Sequence, residues 1–174
     1  MASYLSPLLT TRDEPMYAEP AITVRRATDS DVAGLAELMY RFYAFNEEFD
    51  PSWATVRNLR EAVKEHAAEA LRDPSSIVLV AASGNSVIGY LRAVLEENRL
   101  LASSRTLVIK ELYVKPEHRR AGVATLLVNK AVDEARKLRA GLVAVEFPSA
   151  NKIAEDLYLK IGFRPYLVRY VKEA

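Results

Sequence analysis

The stretch Val108-Ile109-Lys110-Glu111-Leu112-Tyr113-Val114-Lys115-Pro116-Glu117-His118-Arg119-Arg120-Ala121-Gly122-Val123-Ala124-Thr125 decides the fold. Its first part is β-branched and aromatic and stops at Pro116, which cannot donate a ladder hydrogen bond, so it predicts a strand and then a sharp turn. Beyond the turn, apolar residues recur at Val123, Leu126, Leu127, Ala131, Val132, Ala135 and Leu138, the spacing of one buried helix face, with Gly141 expected to end the helix. Between strand and helix, Arg119 and Arg120 stand beside the small residues Ala121, Gly122 and Ala124. Several backbone N–H groups can there turn towards one point at a helix N-terminus, which is a cradle for an anion, most naturally a phosphate.

Outward from this stretch the pattern predicts a strand over residues 142–147, a short helix over 151–160 and a closing strand over 163–171. Upstream, residues 22–26 read as a first strand. Thr28 to Asp31 offer capping oxygens, and Val32, Leu35, Ala36, Leu38, Met39 and Phe42 follow at helical spacing. A second helix is expected over 52–71, then a β-hairpin of residues 77–82 and 87–95 around Ser83-Gly84-Asn85-Ser86. Residues 1–20 carry Pro7, Pro15 and Pro20 without hydrophobic period and read as a flexible arm, leaving 21–174 as one domain. The order is a mixed α/β one, not the strict alternation of a doubly wound fold.

Composition narrows the chemistry. The 174 residues carry a formal net charge of +1, so no strong field favours a polyanion or an acidic membrane, and nucleic-acid binding is not expected. There is no cysteine, which removes disulfides, a thiol nucleophile and thiolate metal sites; with two histidines far apart, no metal is expected. No signal peptide or transmembrane run is visible, and a cytosolic location is expected.

Arg119-x-x-Gly122-x-Ala124, with Leu112-Tyr113-Val114 before it, resembles the coenzyme A loop and preceding strand of the GCN5-related N-acetyltransferase (GNAT) family. Further on, Asn151-x-x-Ala154-x-x-x-Tyr158-x-x-x-Gly162-Phe163 resembles the second signature of that family. The resemblance covers the chain from about Ile22 onward. It implies a largely antiparallel sheet flanked by helices, with a parallel, splayed strand pair at the cofactor site. It also implies an acetyl-CoA-dependent N-acetyltransferase acting in a ternary complex, or a non-catalytic CoA-binding module on the same fold.

Residue by residue, the resemblance implies that the amides of Arg119, Arg120, Ala121, Gly122, Val123, Ala124 and Thr125 take the diphosphate. The backbone of Leu112, Tyr113 and Val114 pairs with the pantetheine arm, Asn151 bonds its amides, and Tyr158 protonates the departing thiolate. Tyr43 and Glu47 fall where that family builds its acceptor site. An ammonium must lose a proton to become a nucleophile, so a carboxylate is sought; Glu111, a charge in an otherwise apolar strand, is the candidate, with Glu146 and Glu47 as alternatives. The acceptor amine, small molecule or protein, stays open; dimers are frequent in that family, so a homodimer is a partner to test.

Overall fold

The computed structural model describes residues 21–174, so the arm expected over residues 1–20 lies outside the described residues. Strand β4 (Arg105–Val114) runs where the β-branched pattern placed it. It lies between β3 (Ser86–Glu97) and β5 (Leu142–Val145), with β2 (Ser76–Ser83) and β1 (Ile22–Arg26) beyond β3, in the order β1-β2-β3-β4-β5. The first three pairings are antiparallel and β4–β5 is parallel, because a helical crossover returns the chain between them. The expected mixed sheet with its parallel strand pair is therefore present.

Helices α1 (Val32–Glu47) and α2 (Leu59–Arg72) cover one face, and α3 (Val123–Lys137) and α4 (Lys152–Lys160) the other. The period of two along each strand divides the sheet's side chains between two cores. Val78, Val80, Tyr90 and Tyr113 pack with Leu35, Leu38, Met39 and Phe42 of α1, whereas Leu79, Leu91, Leu107 and Ile109 pack with Leu127, Val128 and Ala131 of α3. At the start of the α1 layer, buried Asp31 takes two bonds from Arg25 (2.7 and 2.9 Å) and one from the Thr28 amide (2.8 Å), tying β1 to the helix entry.

One irregularity in β4 positions the site. Arg92 of β3 stands opposite Glu111, but its neighbour Ala93 stands opposite Ile109, so Lys110 is an extra residue in the ladder. A bulge of this kind breaks the alternation. Ile109 consequently faces α3, while Glu111, two residues on, faces α1 and α2 together with Tyr113.

Four expectations need correction. The second helix begins at Leu59 rather than at residue 52, because Asp50 caps a separate 3-10 turn at Pro51–Trp53 (Ser52 N to Asp50 Oδ1, 2.8 Å) and the chain then runs irregularly to Asn58. The strand after α3 ends at Val145. Gly141 does not close α3; Arg139 does so in the left-handed conformation, φ 56°. The closing strand expected over 163–171 is not formed: these residues pair with no strand, and Pro165 withholds an N–H. Tyr166, Leu167, Val168, Tyr170 and Val171 are left exposed.

Candidate active site

Beyond Pro116–His118, a 3-10 turn, the backbone enters the left-handed region twice, at Arg120 (φ 66°) and at Gly122 (φ 78°), before α3 begins. A Cβ on Gly122 would meet nothing within 4 Å, so the backbone angle and not crowding favours glycine there. Among the described residues no side chain caps α3, and the first helical bond is Leu126 N to Gly122 O at 3.0 Å. The amides of Val123, Ala124 and Thr125 therefore have no acceptor within the helix, at its positive end. The amide of Arg119 is already bonded to Pro116 O (3.2 Å). Its guanidinium also turns inward, donating to Val114 O (3.1 Å) and lying 5.4 and 5.7 Å from the Tyr113 and Phe45 rings. Of the two arginines, only Arg120 has its side chain outside such contacts.

The parallel pairing of β4 with β5 stops at Ile109 opposite Val145, followed by a bond from Glu146 N to Ile109 O (3.1 Å). Strand β4 continues to Val114, and among the described residues no strand pairs with it on that side. The edge formed by Leu112 and Tyr113 is thus open, and it leads directly into the turn. Beside it, Tyr158 is buried in the α3 core with Val114 and Val123. Its ring stacks on Phe147 (5.6 Å) and meets Phe163 edge-on (5.3 Å). Burial pushes its phenol above the ordinary value, and among the described residues its hydroxyl takes no hydrogen bond. Asn151 caps α4, its Oδ1 accepting from Ala154 N at 3.1 Å, which leaves the Nδ2 hydrogens. Gly162 (φ 95°) ends α4, with Phe163 N bonded to Tyr158 O at 2.9 Å.

On the opposite face, Glu111 is 2% exposed and its carboxylate is surrounded. It accepts from Arg92 Nε (2.7 Å), His66 Nε2 (2.9 Å), Tyr90 Oη (3.0 Å) and Tyr43 Oη (3.1 Å). Burial alone would push the carboxyl up, but the His66 hydrogen bond and the Arg92 charge outweigh it and hold Glu111 below its usual range. Tyr43 and Tyr90 are pushed up, by burial first and then by the charge of Glu111. Tyr43 and His66 line a cleft of about 350 Å³, walled by Trp53, Val56, Leu59 and Val63 between α1, α2 and the chain that joins them.

Other expected residues lie elsewhere. Glu47 accepts from Thr55 Oγ1 (3.0 Å) at a neighbouring opening, and Glu146 is paired with Lys110 (3.0 Å) at the end of β5. His66 was not expected at the site. It stands on a polar helix, 45 residues from Glu111, and only the bulge in β4 brings the two together. Among the described residues no group of acidic residues and histidines is arranged to hold a metal, and no helix is long and apolar enough to cross a membrane.

Comparison with known proteins places this geometry. No curated protein matches the sequence. Similar solved structures include the aminoglycoside N-acetyltransferase AAC(6')-Iy in complex with CoA, 15% identical, covering 91% of this chain and 99% of that one with a TM-score of 0.74. A ribosomal-protein-alanine N-acetyltransferase from Brucella melitensis biovar Abortus is 19% identical over 88% of this chain and 100% of its own, TM-score 0.72. The aminoglycoside 6'-N-acetyltransferase AAC(6')-IG from Acinetobacter haemolyticus is 21% identical over 87% and 99%, TM-score 0.69. At these identities the likeness is one of fold. Residues 35–163, which span both sequence signatures and the open edge of β4, match the acetyltransferase (GNAT) family, and the chain belongs to that family.

Proposed function

We propose that residues 21–174 form an acetyl-CoA-dependent N-acetyltransferase domain that transfers an acetyl group to a primary amine by direct attack in a ternary complex. The observation that carries this reading is the continuity of the open β4 edge at Leu112 and Tyr113 with the uncapped amides at the start of α3. An extended pantetheine arm can add to such an edge as a strand would, and its diphosphate then meets the helix N-terminus. Because the Arg119 amide is bonded to Pro116 O and its guanidinium to Val114 O, the cradle in this reading is made by the amides of Arg120, Ala121, Gly122, Val123, Ala124 and Thr125, with Arg120 supplying side-chain charge. Bound there, the cofactor supplies an activated thioester.

The chain's own residues then hold and move protons. Asn151 offers its remaining N–H groups to the pantetheine. Tyr158 donates to the sulfur as the C–S bond breaks. Its raised pKa suits this, since apolar walls that keep a phenol protonated also make a nearby thiolate more basic. Glu111 and Tyr43 stand on the acceptor side of β4, and Glu47 borders its outer opening. With no cysteine in the sequence, a thiol-linked acyl-enzyme is not available, and direct transfer is the simpler course. Incubation with acetyl-CoA and a broad amine panel, with release of free thiol as readout, tests the proposal. Acceptor-dependent thiol release is expected; tight CoA binding without turnover on any amine would instead favour a CoA-binding module.

A further inference from the structure

We infer that the cleft between α1 and α2 takes an amine carried on an apolar body, and that His66, held by Glu111, receives the proton the amine must lose. The inference rests on the acetyltransferase reading and names its acceptor class and its base. Three observations converge on it.

The first is the tautomer of His66. Glu111, held ionised below its usual range, is acceptor-only, so the His66 Nε2 atom 2.9 Å away must be the donor. In the neutral ring the lone pair then belongs to Nδ1, for which no protein partner is present among the described residues. The second is access. The Glu111 side chain is 1% exposed and already accepts four bonds, whereas the His66 side chain is 34% exposed and lines the cleft. The carboxylate orients and the imidazole acts. The third is charge. Trp53, Val56, Leu59 and Val63 wall the cleft, no carboxylate among the described residues lines it, and the charge of Glu111 behind it is balanced by Arg92 at 2.7 Å. Inside the cleft a polycation would find no carboxylate for its additional charges, Glu47 and Glu61 lying at the neighbouring opening together with Arg57 and Arg60, while a single amine on an aromatic or alkyl body finds apolar walls and one base.

The step balances. The ammonium gives one proton to His66 Nδ1, which passes it to solvent. The free amine forms the C–N bond at the thioester carbonyl, the C–S bond breaks with Tyr158 protonating the departing thiolate, and the second proton leaves nitrogen for solvent, from which the Tyr158 phenol recovers its own. The products are an acetamide, free CoA and one proton.

The test uses the full chain with acetyl-CoA and two acceptor sets: phenethylamine, benzylamine and hexylamine against spermidine and kanamycin. Monoamines are expected to exceed the polycations at least about tenfold in kcat/KM, the range that apolar pocket contacts provide. His66→Gln is expected to lose roughly 10²-fold in kcat with little change in KM or CoA affinity, and free imidazole is expected to restore part of the activity of His66→Gly. Glu111→Gln lowers kcat in the wild-type background but adds little to His66→Gln, a coupling that a purely structural carboxylate would not give. Preference for the polycations, full kcat in His66→Gln, or additive losses would overturn the inference and leave the acetyltransferase reading standing. Failure of the wild-type chain to bind CoA would remove both.

Discussion

Two buried acid–base groups lie near the same end of β4, on opposite faces of the sheet. Glu111 is enclosed by four donors from α1, α2 and β3, and Tyr158 is enclosed by two aromatic rings with no hydrogen-bond partner among the described residues. A buried charge persists only when paired, so the first must be fully satisfied. A neutral phenol tolerates apolar walls, so the second can keep its proton for a ligand. The difference teaches that burial alone does not mark a reacting group. What matters is whether its polar atoms are already committed.

The largest effect is expected where the committed side is broken. Arg92→Leu leaves Glu111 charged and without its guanidinium partner, which costs about 3–5 kcal/mol in denaturant unfolding near neutral pH. In that variant the deficit should shrink on acidification, because protonating Glu111 removes the unpaired charge; a deficit independent of pH would contradict the ion-pair account. The same substitution on each face sharpens the contrast. Tyr90→Phe removes a bond to a buried carboxylate and should cost about 1.5–3 kcal/mol of stability. Tyr158→Phe should leave stability within about 0.5 kcal/mol but lower kcat roughly 10²-fold without weakening CoA binding. If the two variants lose stability equally, the distinction fails.

Smaller effects follow at the edges of the two regions. Gly122→Ala forces a Cβ into the left-handed region at φ 78° with no steric clash, so calorimetry should give a loss of about 1–2 kcal/mol. Asp31→Asn should cost about 1 kcal/mol at neutral pH. The bonds from Arg25 lower the Asp31 pKa to about 2, so its contribution is complete above the ordinary carboxylate range and is lost as pH falls through about 2. The difference between wild type and Asp31→Asn should therefore close over that acid window and stay constant above it.

Much of the fold was legible because β4, the turn and α3 obey local rules. β-branched residues stop at a proline, glycine takes a left-handed angle, and apolar residues recur at helical spacing. The division of β4 into two faces, with Leu112 and Val114 opposite Glu111 and Tyr113, follows from the same alternation. What the sequence hid depends on pairing across the fold. The bulge at Lys110 is a property of the β3–β4 register, and without it Glu111 would face α3. His66 reads as one more polar residue on α2, and nothing local connects it with Glu111. Arg119 reads as a phosphate ligand, yet the Val114 carbonyl and the Phe45 and Tyr113 rings claim it. Residues 163–171 have strand composition but form no ladder, and Pro165 interrupts the run of N–H donors a ladder needs.

The central claim is that the start of α3 binds a diphosphate while β4 holds the arm attached to it. Calorimetric titration of the chain with CoA and, separately, with pantetheine, which lacks the diphosphate and nucleotide, tests it most directly. The account predicts one CoA per chain, with affinity falling as salt is raised, and binding of pantetheine weaker by at least about 10²-fold, since the charged contacts carry most of the difference. Equal affinities for the two, or no binding of CoA, would contradict it.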